Sequence, residues 1–198
     1  MAGIKVISPP AVEPITVSDL KPQLGYDLTD TSPDERLLPL IPAAREWAED
    51  YTKRVFITQT LEFALDAWPC QEWTDNRGKS HASIELPRLP LQSVTSVTYT
   101  DKDGVTAVWV ASNYVVDDFS FVPRIVRKRG IAWPSVQLAA ANGVRVRFVA
   151  GYGDTAASVP QKIKQALIML VAYWYENGMC DPPCAVTSLL DMDRWVNV

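Results

Sequence analysis

Val144-Arg145-Val146-Arg147-Phe148-Val149-Ala150-Gly151-Tyr152-Gly153-Asp154 is the stretch in which the chain changes period. Residues 144–149 read as a strand, with apolar and charged side chains alternating as far as Phe148, as a strand presents one face to a core and the other to solvent. Two glycines interrupt the alternation. Beyond Pro160, which suits a helix start, Ile163, Ala166, Leu167, Leu170, Val171, Trp174 and Tyr175 recur at spacings of three and four, the mark of a helix with a wide apolar face. Gly178 is placed to end that helix, because glycine accepts the left-handed conformation of a helix stop.

Upstream of this switch the strand period dominates. Residues 55–65 alternate, and 83–86, 94–100, 105–110, 114–116 and 124–126 read likewise. Asp101-Lys102-Asp103-Gly104 is a hairpin turn between two of them, with Gly104 supplying the positive φ. Pro87, Pro90, Pro123 and Pro134 argue against long central strands nearby, since proline has no N–H for a ladder.

Further upstream the period is helical. Ser32-Pro33-Asp34-Glu35 combines an N-cap serine, a proline in the first turn and an acid three residues on. Leu37, Ile41, Ala44, Ala48 and Tyr51 then form an apolar stripe. Pro39 and Pro42 fall inside it, so a kink or restart is expected near Pro39, with a clean helix to about Lys53. Thr16-Val17-Ser18-Asp19 can cap a first helix that Pro22 and Gly25 keep short. The predicted class is α+β: N-terminal helices and a long C-terminal helix form a helical body, with a β-rich insertion between them and an extended C-terminal tail. The boundaries are an extended N-terminal arm at 1–15, a helical part at 16–54, the β-rich insertion at 55–157, the long helix at 158–178 and the tail at 179–198.

Composition bounds the function. With 198 residues, 47% hydrophobic and 21% charged, the chain can build a core without disulfides or metal. A net charge of −4 gives no global attraction to nucleic acid. The N-terminus has no basic segment followed by an apolar one, so no secretory signal is expected. The longest apolar stretch, 166–174, is far short of a membrane span. Three cysteines, Cys70, Cys180 and Cys184, are an odd count and suggest free thiols in a reducing compartment.

Catalytic chemistry finds little support. His81 is the single histidine and sits in a polar stretch; with Cys70 it offers one nucleophilic pairing of the cysteine-hydrolase kind, against a solvated loop histidine. Cys180 and Cys184, taken with Cys70 and His81, are zinc-compatible ligand types, but Asp181-Pro182-Pro183 stiffens the loop between the first two. Gly151-Tyr152-Gly153-Asp154 lacks the third glycine of a dinucleotide site and the Lys-Ser/Thr of a phosphate loop. Asp117 and Asp118 are adjacent and would point to opposite faces of a strand. No catalytic residue, cofactor or metal is therefore expected.

Two features point to assembly. Arg124, Arg127, Lys128 and Arg129 form the densest basic run, either a charged edge strand that deters unwanted pairing or a surface for an acidic subunit or DNA phosphate. Leu189, Leu190, Met192, Trp195 and Val196 form an apolar set near the C-terminus that either folds back on the core or anchors on a partner. On the anchoring reading, removing 188–198 leaves a folded subunit.

Taken in order, several segments resemble the head–tail connector family of tailed phages. They are Ala43-Ala44-Arg45-Glu46-Trp47-Ala48-Glu49, Thr58-Gln59-Thr60-Leu61, Leu86-Pro87-Arg88, Pro90-Leu91-Gln92-Ser93-Val94 and Tyr114-Val115-Val116-Asp117. The resemblance continues through Trp133-Pro134, Phe148-Val149-Ala150-Gly151-Tyr152-Gly153, Val159-Pro160, Ile163-Lys164 and Trp174-Tyr175-Glu176-Asn177. It spans residues 14–192 and rests on order and spacing, not on one motif; Pro39 and Pro42 depart from the family's unbroken helix. It implies a structural virion protein, an adaptor forming a ring of about twelve copies, a closed cyclic symmetry. The ring sits under the portal protein, extends the DNA channel and offers a platform to the next neck or tail-terminator protein. DNA would pass without specific binding, no membrane would be involved, and synthesis would occur in the bacterial host cytoplasm. The C-terminal segment would reach toward the portal. The alternatives are a tail-completion protein that contacts the tail tube and, more remotely, the Cys70–His81 hydrolase.

Overall fold

The computed structural model describes residues 2–69, 73–74, 80–81 and 83–195. Its class is mixed α+β, and the chain divides into two compact units of nearly equal size. One comprises Met1–Pro9 and Gln59–Ala150, the other Pro10–Thr58 and Gly151–Val198. This corrects the picture of a helical body carrying a sheet insertion. The sheets have their own core and take the first residues of the chain as one of their strands.

The sheet unit contains β1 (Ala2–Ser8), β2 (Gln59–Leu65), β3 (Trp73–Thr74), β4 (Ser80–His81), β5 (Ser83–Glu85), β6 (Leu91–Thr100), β7 (Thr106–Val108), β8 (Tyr114–Asp117), β9 (Arg124–Arg127) and β10 (Val144–Ala150). The larger sheet has the order β1-β2-β10-β6-β7, with β10 antiparallel to both neighbours. Val144, Val146, Phe148 and Ala150 are buried while Arg145 and Arg147 are exposed, so the alternation becomes two faces of a strand. The register carries this across the sheet. Phe148 lies opposite Leu61 and Val146 opposite Phe63, all four in the core, while Arg147 lies opposite Glu62 and bonds to it at 2.8 Å on the other face.

The expected N-terminal arm is β1, an exposed edge strand paired with β2 from Ala2↔Leu65 to Ser8↔Thr60. Residues 2–8 contain no proline, so every N–H is free to join a ladder; Pro9 and Pro10 end it. At the start of the predicted insertion, β2 begins only at Gln59. Val55, Phe56 and Ile57 are all buried in succession, which a two-faced strand does not permit, and Phe56 and Ile57 belong to the helical core. The turn at residues 101–104 forms as read: the Asp101 carboxylate accepts the N–H groups of Asp103 and Val105, each at 2.9 Å, and Gly104 adopts φ 83°.

β5, β9 and β8 form a second sheet in that order, so β9, which carries the basic run, is central. The charged-edge reading is thereby overturned: Val126 pairs with Ser83 on one side and Val115 on the other, and Ile125 is fully buried. Aromatic rings pack within this unit. Trp133 stacks on Trp68 at 4.8 Å and lies 4.6 Å from Trp109, which in turn stacks on Tyr114 at 5.2 Å. Each such pair contributes about 0.5–1.5 kcal/mol beyond its buried area.

The helical unit contains α1 (Val17–Leu20), α2 (Asp34–Leu37), α3 (Leu40–Thr52), α4 (Gln161–Asn177) and α5 (Cys184–Asp191). The Asp19 carboxylate accepts the Thr16 N–H at 2.7 Å and its hydroxyl at 2.8 Å, closing the first turn of α1. Pro39 separates α2 from α3 as expected. Pro42 falls in the first turn of α3, where its missing N–H would have had no helical partner. Lys53, with φ 60°, stops α3. At the start of α2, Ser32 does not cap the helix; its N–H goes to the Asp30 carboxylate instead. The apolar faces of α3 and α4 meet in one core with Phe56 and Ile57.

Within that core Arg45 is buried and ion-paired. Its Nε donates to Glu13 at 2.8 Å and its Nη1 to Glu49 at 3.0 Å, while the other Glu49 oxygen accepts the Phe56 N–H at 2.8 Å. Burial alone would lower the Arg45 pKa, but the two carboxylates outweigh it and hold it above the ordinary guanidinium value. Removing the cation leaves two partly or fully buried carboxylates without it. Arg45→Met is therefore expected to destabilise the chain by about 3–5 kcal/mol, measured by chemical denaturation.

Candidate functional site

The C-terminal segment is built on α5. Val186 and Leu190 are fully buried in the core shared with α3 and α4, and Leu189 packs half-buried beside them. At the end of the helix and beyond it the chain is tied down by polar bonds. Tyr51 donates to Asp191 at 2.7 Å, Arg54 donates to the Asp193 carbonyl at 2.6 Å, and Lys162 pairs with the Asp193 carboxylate at 2.8 Å. The Trp195 N–H reaches the Thr52 carbonyl at 3.0 Å. The expected extended tail is thus a docked helix, because Val186, Leu189 and Leu190 fall on one face and the core has room for them. Leu190 cannot serve a partner without vacating that core, and removing 188–198 would open it. Met192 is 74% exposed; Val196 lies outside the described residues.

The basic residues serve different ends. Arg124 pairs with Asp117 at 2.9 Å. Arg127 lies over the Trp133 ring at 5.4 Å and donates to the Ile131 carbonyl at 3.3 Å. Only Lys128 and Arg129 are exposed, and neither joins an ion pair among the described residues. A continuous basic patch does not form, because alternation along β9 and local partners consume half of it.

The loop joining β8 to β9 was not marked by the sequence. Asp117, the last residue of β8, accepts the Ser120 hydroxyl at 2.7 Å, Arg124 Nε at 2.9 Å and the Ser120 N–H at 3.2 Å. The Ser120 hydroxyl and Arg124 hold the Asp117 carboxyl below the usual carboxylate range. The turn fixed in this way displays Phe119, fully exposed, and Phe121, 66% exposed. Two phenylalanines in a loop were the available signal, but apolar residues beside strands read first as core.

Of the residues considered for chemistry, Cys70 lies outside the described residues, and His81 is placed only by its backbone pairing with Trp73. Cys180 and Cys184 are exposed free thiols. Among the described residues no group of three His, Cys, Asp or Glu side chains could hold a metal ion. No helix among them is long and apolar enough to cross a membrane. Gly151 has φ 134°, and a Cβ there would meet Ile57 and Thr58 backbone atoms at 2.7 Å, so the glycine allows this close backbone approach.

No protein-family model matches the sequence, and no curated protein does. Solved structures do. A chain in the virion of a native gene transfer agent particle superposes with a TM-score of 0.75 at 24% identity, covering 98% of this chain and 96% of that one. A chain in the neck of the empty particle, computed with C6 symmetry, gives 0.76 at 23% identity over 99% and 97%. A chain in the neck of the native particle, computed with C12 symmetry, gives 0.69 at 25% identity over 99% and 97%. The fold is therefore one shared with chains of gene transfer agent particles.

Two measurements check the local assignments. Leu190→Ala should cost about 2–5 kcal/mol, whereas Met192→Ala should stay within about 0.5 kcal/mol, both by chemical denaturation. Asp117 has a folded pKa below its unfolded value of about 3.9. Its contribution is complete above that value and lost as pH falls through the folded one. The melting-temperature gap between wild type and Asp117→Asn should accordingly be present at neutral pH and vanish in strong acid.

Proposed function

We propose that this chain is a structural protein of a virion neck, an adaptor that assembles as a ring beneath the portal, extends the DNA channel and carries the tail. The observation that carries the reading is the end-to-end likeness, over 98–99% of this chain, to chains of gene transfer agent particles, two of them described as necks. The ordered resemblance of its segments to head–tail connectors points the same way. An acidic chain, with a net charge of −4, suits a channel past which DNA slides without being held.

In this reading the ring is made of identical copies joined by heterologous contacts, each with one surface patch against a different patch of the next. Leu189, Met192, Trp195 and Val196 remain candidates for contact with the portal, with Met192 the one already exposed among those the structure describes. Leu190 contributes by holding α5 in place. The protein acts without a catalytic step, and is made in the host cytoplasm before joining the particle.

Electron microscopy of particles that contain this chain tests the reading. The expected result is ring density at the neck, lost when the gene is deleted and restored with it. Crosslinks to portal subunits support the adaptor position; crosslinks to the tail tube alone place the protein lower in the neck. Particles with a complete neck in the deletion strain would overturn the proposal.

A further inference from the structure

We infer that the small β5-β9-β8 sheet is the head-to-tail contact by which one copy of this chain holds the next. The aromatic tip at residues 118–121 of one copy seats against the basic end of its neighbour's sheet, formed by Val110, Lys128, Arg129 and Ile131. The inference rests on the ring reading above and assigns a contact within it.

The register fixes where the two patches lie. Asp117 pairs with Arg124 and Tyr114 with Arg127, so the tip follows one end of the β8–β9 ladder and the basic end follows the other. Three residue steps separate them, roughly 10 Å along the strands. The patches are unlike. At the tip Phe119 is fully exposed, Phe121 is 66% exposed, and Asp118 is exposed beside them. At the other end Lys128 and Arg129 are exposed, flanked by Val110 at 52% and Ile131 at 37%.

Both patches are held in shape. The Asp117 bonds to Ser120 and Arg124 staple the tip. Three backbone bonds link the basic end: Asn113 N–H to the Val110 carbonyl at 3.0 Å, Lys128 N–H to Asn113 at 3.0 Å, and Ile131 N–H to Lys128 at 3.1 Å. A surface ordered before binding loses little entropy on binding.

Charge and apolar area both match across such a contact. Asp118, Lys128 and Arg129 join no ion pair within the copy among the described residues, which leaves one acid at the tip to meet two cations. Phenylalanine against Val110 and Ile131 removes apolar surface from water, and an arginine can lie over the ring. Because the complementary patches sit at opposite ends of the same sheet, a copy that offers its tip still has its basic end free. Contacts of this kind continue from copy to copy until the rotation closes a ring.

Disulfide trapping tests the contact. The chain carries Phe119→Cys and Ile131→Cys, with Cys70, Cys180 and Cys184 changed to serine. Inside one copy the two new cysteines lie at opposite ends of the ladder, so mild oxidation can join them only between copies. The expected result is a ladder on a non-reducing gel, ending at the stoichiometry that native mass spectrometry finds for the wild-type ring; each single cysteine variant stops at dimers at most. In parallel, Asp118→Lys and Arg129→Glu should each weaken ring assembly by about thirtyfold or more, and the double variant should restore it. Rings that form normally in both single variants, or a cysteine pair that gives no ladder while the wild type forms rings, overturn the contact and leave the neck reading standing. A wild-type chain that forms no ring, alone or on portal vertices, overturns both.

Discussion

β10 is paired on both sides, and its side chains have a period of two. That constraint organises the sheet unit. Against β2 the register is unbroken from Val144 to Ala150, and a slip of one residue there would turn Val146 and Phe148 to solvent and Arg145 and Arg147 into the core; against β6 two irregularities take up the difference and leave Phe148 and Ala150 buried. In that register Glu62 faces Arg147 on the outer side, β1 adds to the free edge of β2, and β7 closes the other edge through the Asp101 turn. The aromatic rings then pack within a frame whose strand order is already set.

The helical unit depends on a different kind of constraint. A buried guanidinium must be matched by anions, and Arg45 is matched by residues from different parts of the chain: Glu13 from the segment before α1, and Glu49 one turn along α3. Glu49 also accepts the Phe56 N–H, which fixes the segment after α3. Polar bonds of this sort are directional, so they select one arrangement of an otherwise plastic apolar core. The same core takes in Val186 and Leu190, and this has a functional consequence. Buried in its own core, Leu190 is not available to a partner, and further exposed surface lies elsewhere on the molecule.

That elsewhere was poorly legible. The basic run was visible as composition, yet its meaning changed once β9 proved central: Arg124 and Arg127 are used within the subunit, and only Lys128 and Arg129 face outward. Phe119 and Phe121 were invisible for the opposite reason. A phenylalanine in the sequence carries no mark of whether it is inside or outside, and these two stand in solvent on the turn that bonds among Asp117, Ser120 and Arg124 hold.

The sequence by itself determined the periods, and with them the class, most strands, the apolar faces of α3 and α4, the restart at Pro39 and the stop at Gly178. These are local consequences of side-chain spacing and of backbone freedom at proline and glycine, and they need no distant partner. Only the tertiary structure decided that β1 belongs to the sheet, that 55–57 belongs to the helical core, that β9 has neighbours on both sides and that α5 docks. Each of these depends on which distant segment supplies the missing hydrogen bonds or covers the apolar face. Many pairings satisfy that requirement equally well when residues are read one segment at a time; few satisfy it when all segments must be buried at once.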